Sequence, residues 1–157
     1  MIPLFKVFMS NKVSDSVSEV LNSGYIGQGT MVDKFEENLK EWFQLDYLLT
    51  TNSATSATNW PVLANNLKIK WVDVDANTLN MDLDDLARKI TPKTRIIYLV
   101  HWGGYPVDLD RVKQIQNKTE RMYGFKPIVI EDCAHALGSK YNNSKIGSHG
   151  NICTFSF

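Results

Sequence analysis

Lys126-Pro127-Ile128-Val129-Ile130-Glu131-Asp132-Cys133-Ala134-His135-Ala136-Leu137-Gly138 is the stretch whose reading decides the fold. Three β-branched residues in a row, Ile128 to Ile130, read as a short buried strand. That strand runs straight into an acid, a thiol and an imidazole. In open α/β sheets ligands bind beyond the carboxyl ends of the strands. Asp132 and His135 placed there can both face one bound molecule. The same pair also fits a plain structural role, with the Asp capping the next turn and the His on a core face.

Working outward, Tyr47 to Thr51, Ile69 to Val74, Ile96 to Val100 and Ile152 to Phe155 read as further strands. Helical spacing appears at Lys12 to Asn22, Met31 to Phe43, Leu83 to Ile90 and Leu109 to Tyr123. Phe35, Leu39 and Trp42 form an apolar stripe expected to be core. Gly24 to Gly29 reads as a loop. Strands alternating with helices predict a doubly wound, mostly parallel α/β sheet with flanking helices, in one domain or part of one.

Composition narrows the function classes. The chain has 157 residues, 43% of them hydrophobic, which suits a single core. Seventeen basic residues balance seventeen acidic ones, so no electrostatic footprint for nucleic acid or an anionic membrane appears. Runs such as Ile96-Ile97-Tyr98-Leu99-Val100 are strand-length and too short to span a bilayer. The opening Met1-Ile2-Pro3-Leu4-Phe5-Lys6 lacks the pattern of a signal peptide. Cys133 and Cys153 alone make no disulfide framework, so a cytoplasmic setting is expected.

Glu131-Asp132-Cys133-Ala134-His135-Ala136-Leu137-Gly138 resembles the E-D-x-A-H/Q-A-x-G signature of the DegT-type sugar aminotransferases, fold type I enzymes that use pyridoxal 5'-phosphate. Other segments agree in the same order. Asn52 to Ala57 is similar to the family's phosphate-binding turn, and Val72-Asp73-Val74-Asp75 with Thr91-Pro92-Lys93-Thr94-Arg95 to its V-D-x-D and T-P-x-T elements. Val100-His101-Trp102-Gly103-Gly104-Tyr105-Pro106-Val107-Asp108 is a variant of its H-x-x-G-x-x-x-D loop. Gly147-Ser148-His149-Gly150 leading to Thr154-Phe155-Ser156-Phe157 resembles the stretch just before its catalytic lysine.

The resemblance implies roles. Asp132 matches the carboxylate beside the cofactor's ring nitrogen, and His135 the partner of its ring hydroxyl. Ala54 and Thr55, in the turn after a strand, and Ser156 match the phosphate contacts. Ser and Thr also cap helices with no ligand present. The implied reaction moves an amino group, with glutamate as the expected donor, onto a nucleotide-linked keto-sugar in surface-polysaccharide or amino-sugar biosynthesis. A homodimer is implied for the full enzyme. The family's dehydratase branch, in which histidine replaces the lysine, is a second reading.

Two departures matter. The Schiff-base lysine falls a few positions past Phe157, and the family's small C-terminal domain does not appear, so residues 1–157 are expected to be part of the large cofactor-binding domain without catalysis. The chain would then be a fragment, or a non-catalytic remnant or assembly partner. Internally, the family's phosphate turn opens a full helix followed by another strand. Here Ala57 is followed by Thr58-Asn59-Trp60-Pro61, and the repeat Ser53-Ala54-Thr55, Ser56-Ala57-Thr58 suggests a deletion near 57–58. Pro61 is expected to end any helix begun at Thr55. Trp60 could stand in for the ring that stacks on the cofactor, or simply pack. Three other readings compete: a zinc cluster of Cys133, His135 and His149, a Cys133 nucleophile with His135 as base, and a generic nucleotide-binding domain. The zinc cluster fits no standard spacing, the nucleophile lacks an oxyanion hole, and the nucleotide domain lacks a glycine-rich turn.

Overall fold

The computed structural model describes residues 9–157, leaving aside the side chains of Asn59, Trp60, Pro61 and Leu63. The reading of the first six residues therefore lies outside the described residues, as does the stacking role of the Trp60 ring. The chain divides into two compact units, one running to Trp42 and including Asp46–Thr50, the other holding Phe43–Leu45 and Thr51–Phe157.

The first unit is built on α1 (Val13–Ser23) and α2 (Thr30–Phe43), whose last residue belongs to the second unit. The expected core stripe is corrected here. No residue of α1 is buried, and Phe35 and Trp42 remain 40% and 42% exposed. No described strand forms in this unit, so no sheet within it covers the helical stripes. The strand expected at Tyr47 to Thr51 is likewise absent. Its Thr50 instead donates its amide and hydroxyl to Glu36 Oε1 at 2.7 and 2.8 Å, while Tyr47 stands 90% exposed. Those two donors hold the Glu36 carboxyl below its ordinary range.

The second unit contains the expected parallel sheet. Its strands are β1 (Ile96–Val100), β2 (Ile128–Asp132) and β5 (Ile152–Thr154), in the order β1-β2-β5. Ile96 to Val100 pair with Ile128 to Asp132, and Ile130 to Asp132 pair with Ile152 to Thr154. Helix α5 (Leu109–Tyr123) makes the crossover from β1 to β2, with Asp108 capping the Arg111 amide at 2.9 Å. Between β2 and β5 lies a small hairpin, β3 (Lys140–Tyr141) and β4 (Ser144–Lys145), which the apolar pattern does not signal.

Alternation assigns the two faces of the sheet. Ile97, Leu99, Val129 and Cys133 share a core with Val112 and Ile115 of α5 and with Ile146. Tyr98, Asp132 and Thr154 point to the other face. There α3 (Ala54–Ala64) packs on β5, and the Thr58 hydroxyl reaches Tyr98.

Two expectations are overturned in this unit. Ile69 to Val74 makes no ladder, only an isolated antiparallel bridge between Val74 and Met81. A strand is stable only beside another, and among the described residues β1 is the edge of the sheet. The second concerns α3, which continues through Pro61 instead of stopping before it. A helix-interior proline costs on the order of 3 kcal/mol, which anchoring elsewhere can outweigh. Here Ser53 Oγ caps the Ser56 amide at 3.1 Å, and buried Thr58 bonds its hydroxyl to Ala54 O at 3.0 Å.

Helix α4 (Leu83–Lys89) carries a charged anchor on the same unit. Asp85 pairs with Lys89 at 2.6 Å and accepts the Asp73 amide at 2.9 Å, so its carboxyl is held down at about 2. The stabilising contribution of such a group is complete above the unfolded value of about 3.9 and is lost as pH falls through the folded one. Asp85→Asn is therefore expected to flatten the fall in urea midpoint between about pH 4 and pH 2. Leu99→Ala, at a fully buried position, should lower unfolding stability by about 2–5 kcal/mol, whereas Leu21→Ala on exposed α1 should change it by less than about 0.5 kcal/mol.

Candidate functional site at the carboxyl end of the parallel sheet

Asp132 ends β2 on the α3 face, half-buried. Its Oδ2 accepts the Tyr98 hydroxyl at 2.8 Å, and its Oδ1 accepts the Ala134 amide at 3.0 Å. Burial, and next the Asp132 carboxylate, push the Tyr98 phenol up to about 12, so it remains a donor through the neutral range. Two fixed donors orient the carboxylate, and each oxygen keeps a further lone pair for another partner.

His135 follows in the turn after β2 and is exposed. The Gly103 amide donates to its Nδ1 at 3.3 Å, and the Trp102 ring meets it edge-on with centroids 5.5 Å apart. An imidazole nitrogen that accepts an amide proton is unprotonated, so the neutral ring carries its hydrogen on Nε2. His135 is thereby a directed donor.

The turn that delivers Gly103 is the Trp102–Gly104 segment, and it is tied down from several sides. Asn80, buried, accepts the Trp102 amide at 2.8 Å and donates to Tyr105 O at 2.9 Å. Ser139 Oγ donates to Gly104 O at 2.8 Å. Gly104 adopts φ +80, and a Cβ there would lie 2.8 Å from His135 O. The second glycine of the Gly103-Gly104 pair is thus required by a close backbone approach.

Beneath the turn, on the opposite face of the sheet, His101 and Glu131 are fully buried. His101 Nε2 and Glu131 Oε2 lie 2.7 Å apart, and the Val107 amide donates to His101 Nδ1 at 3.0 Å. Asn151 Nδ2 donates to the other oxygen of Glu131. The ligand atoms of His101, Glu131 and Cys133 lie within 4.8 Å of one another. A metal there would need a bare Nε2, yet the amide on Nδ1 places the proton on Nε2. The hydrogen-bonded pair is the chemistry this geometry supports.

The structure does not unite Cys133, His135 and His149 in one cluster. His149 bonds Tyr141 O at 3.2 Å, while His135 faces Gly103. The neighbouring Cys153 thiol, together with burial, pushes the Cys133 thiol far above its ordinary range, which removes it as a nucleophile.

Of the phosphate candidates, Ala54 and Thr55 form the first turn of α3, where backbone amides lack helical partners, and Thr55 is exposed. Ser156 lies two residues past the end of β5, also exposed. In register, Asp132 pairs with Thr154, so Ser156 follows at the carboxyl end of the sheet, while Thr58 of α3 reaches Tyr98 beside Asp132. The Thr154 hydroxyl there is buried and has no partner among the described residues. An orphaned donor beside Asp132, directed groups on Asp132 and His135, and the first two amides of α3, ahead of the Ser53-capped Ser56 amide, fit a polar ligand carrying an anionic group. Tyr98, Asn80, Glu131 and Thr154 escaped the sequence reading. Period-two alternation with Asp132 would have placed Tyr98 and Thr154 on its face, whereas nothing local marks Asn80.

Comparison with known proteins agrees with this architecture. The model of the DegT/DnrJ/EryC1/StrS aminotransferase family matches residues 8–60 and 56–157. GDP-perosamine synthase of Escherichia coli O157:H7 is 31% identical over 182 residues, which cover 99% of this chain and 48% of that protein. GDP-4-keto-6-deoxy-D-mannose 3-dehydratase of Yersinia pseudotuberculosis is 26% identical, over 98% of this chain and 46% of its own length. Among solved structures, AtS13 from Actinomadura melliaura superposes with a TM-score of 0.84 at 49% identity, covering 100% of this chain and 49% of AtS13. Spr1654 from Streptococcus pneumoniae, in its PMP-form, gives a TM-score of 0.89 at 26% identity, covering 100% and 48%. The chain thus spans about half the length of the relatives it matches. Among the described residues no helix is long and apolar enough to cross a membrane.

Gly104→Ala tests the close approach under His135. It should lower stability by about 1–3 kcal/mol or more and shift the His135 ring resonances, whereas Gly103→Ala, with open space at its Cβ, should cost only the backbone strain of about 1 kcal/mol.

Proposed function

Because this chain belongs to the DegT/DnrJ/EryC1/StrS aminotransferase family, we propose that it forms part of a pyridoxal 5'-phosphate enzyme that transfers an amino group to a nucleotide-linked keto-sugar. The observation that carries the reading is that an Asp132 carboxyl oriented by Tyr98 and a His135 ring whose Nδ1 accepts the Gly103 amide stand at one end of a parallel sheet. Pyridoxal 5'-phosphate, the family's cofactor, supplies an electron sink for carbon–nitrogen chemistry when bound.

The chain's own residues do the holding and tuning. Asp132, fixed by Tyr98 and Ala134, keeps a proton on the ring nitrogen, since the opposite charges stabilise each other at short range. His135 donates Nε2–H to the ring oxygen. The amides of Ala54 and Thr55, the Thr55 hydroxyl and the Ser156 hydroxyl receive the phosphate, helped by the N-terminal end of α3. Glutamate is the proposed amino donor. The full enzyme is proposed to be a cytoplasmic homodimer serving surface-polysaccharide or amino-sugar biosynthesis. The similarity to a 3-dehydratase supports the dehydratase branch as a second reading.

An internal deletion near 57–58 is part of the proposal. Supporting it, the family model matches in two segments that meet there, and the alignment with the perosamine synthase runs over 182 positions against a chain of 157 residues. A missing strand unit would also explain the unpaired edge of β1 and the ladderless Ile69 to Val74. Among the described residues gathered at the site there are an acid, an imidazole and hydroxyls but no amine. These 157 residues alone are therefore proposed to bind the cofactor without turnover, as a remnant or assembly partner would.

Titration with pyridoxamine 5'-phosphate, followed by its fluorescence, tests the reading. Saturable binding is expected, weakened on the order of ten- to a hundredfold by Asp132→Ala through loss of a charge-assisted hydrogen bond. No binding at millimolar ligand, or equal binding by Asp132→Ala, would overturn it.

A further inference from the structure

We propose that Glu131 and His101 are positioning residues that act through the Trp102–Gly104 turn to fix the protonated nitrogen of His135. The proposal rests on the reading above only for its consequence, that His135 offers Nε2–H to a bound cofactor ring.

The geometry forms one continuous chain of donors and acceptors. Glu131 points to the core face of β2, opposite to Asp132, and is fully buried. It accepts from Asn151, just before β5, and from His101, just after β1. The His101 backbone amide donates to Asp132 O at 3.1 Å, so the ring hangs from the level of the site. Its Nδ1 accepts the Val107 amide at 3.0 Å, closing the loop between 101 and 107 like a clasp. Only one protonation state satisfies both ends: Nδ1 bare toward the amide, and Nε2–H toward the carboxylate. The loop so closed carries the Gly103 amide, which meets His135 Nδ1 at 3.3 Å and leaves the His135 proton on Nε2.

A purely structural role would stabilise the unit without selecting a tautomer. The clasp does select one, because the group presented to His135 is a donor fixed by backbone geometry. Without it, the exposed imidazole would exchange between its two neutral forms. Hydrogen-bond acceptance by residue 131, and not its charge, is what the arrangement requires. A glutamine can accept from His101 through Oε1 and donate its amide to a reoriented Asn151.

Long-range proton–nitrogen NMR of the 15N-labelled 157-residue chain reads each histidine tautomer without any ligand. His101 and His135 are both expected as single Nε2–H forms, with the His101 ring proton protected from solvent exchange. Glu131→Gln should preserve this pattern. Glu131→Leu should move the two His135 nitrogen shifts toward each other as the forms average, and weaken pyridoxamine 5'-phosphate binding about tenfold (~1.4 kcal/mol). A His135 that is Nδ1–H or averaged in the unaltered chain would overturn the proposal, and this readout stands even if the leucine variant fails to fold. So would a folded Glu131→Leu with His135 unchanged, or a Glu131→Gln that behaves as the leucine does. If the tautomers behave as expected but the cofactor analogue does not bind, the positioning pair holds and the cofactor reading fails.

Discussion

One buried carboxylate organises the second unit. Glu131 accepts from His101 and Asn151, and those partners stand at the exit of β1 and the entrance of β5. Burying a carboxyl group in a core is costly unless hydrogen-bond partners replace the lost water, and here two partners come from the flanking chain segments. The result is a cross-tie beneath all three parallel strands. Backbone ladders set the register of the strands, but they leave the loops beyond them free. The cross-tie extends order from the ladder into the loop between 101 and 107, where the site is built.

The upper face of the same strands is polar for a different reason. Tyr98, Asp132 and Thr154 occupy equivalent positions by strand alternation, and α3 lies over β5 on that side. Tyr98 and Ala134 spend one donor each on Asp132, which orients the carboxylate without neutralising it. Strength below and directed polarity above are consistent with a sheet whose two faces do different work. A buried hydrogen-bond acceptor ties the frame together, and a half-buried carboxyl group stands at the strand end.

Much of this was legible in local sequence. The bounds of α5 and of the strand Ile96 to Val100 follow from apolar period, and the structure bears them out, while the strand read as Ile128 to Ile130 runs two residues further, to Asp132. The failures share a cause. Tyr47 to Thr51 and Ile69 to Val74 have strand composition, but a strand exists only when a neighbour supplies a ladder. Pro61 has a strong local preference against helix, yet capping by Ser53 and burial of Thr58 carry α3 through it. The stripe of Phe35 and Trp42 has the right period for a core, yet both rings stay about two-fifths exposed.

The sequence by itself determined the α/β class, the family, and the identity of Asp132 and His135 as the groups at the strand end. Those readings depend on residue type and spacing along one segment, which the chain carries locally. Only the tertiary structure decided that Glu131 faces His101, that Asn80 and Ser139 hold the intervening turn, and that the Gly103 amide selects the His135 tautomer. Each of these contacts joins residues some twenty to thirty-five positions apart. Hydrogen-bond direction between such distant groups is set by how the strands register and the loops close, and no local pattern encodes it.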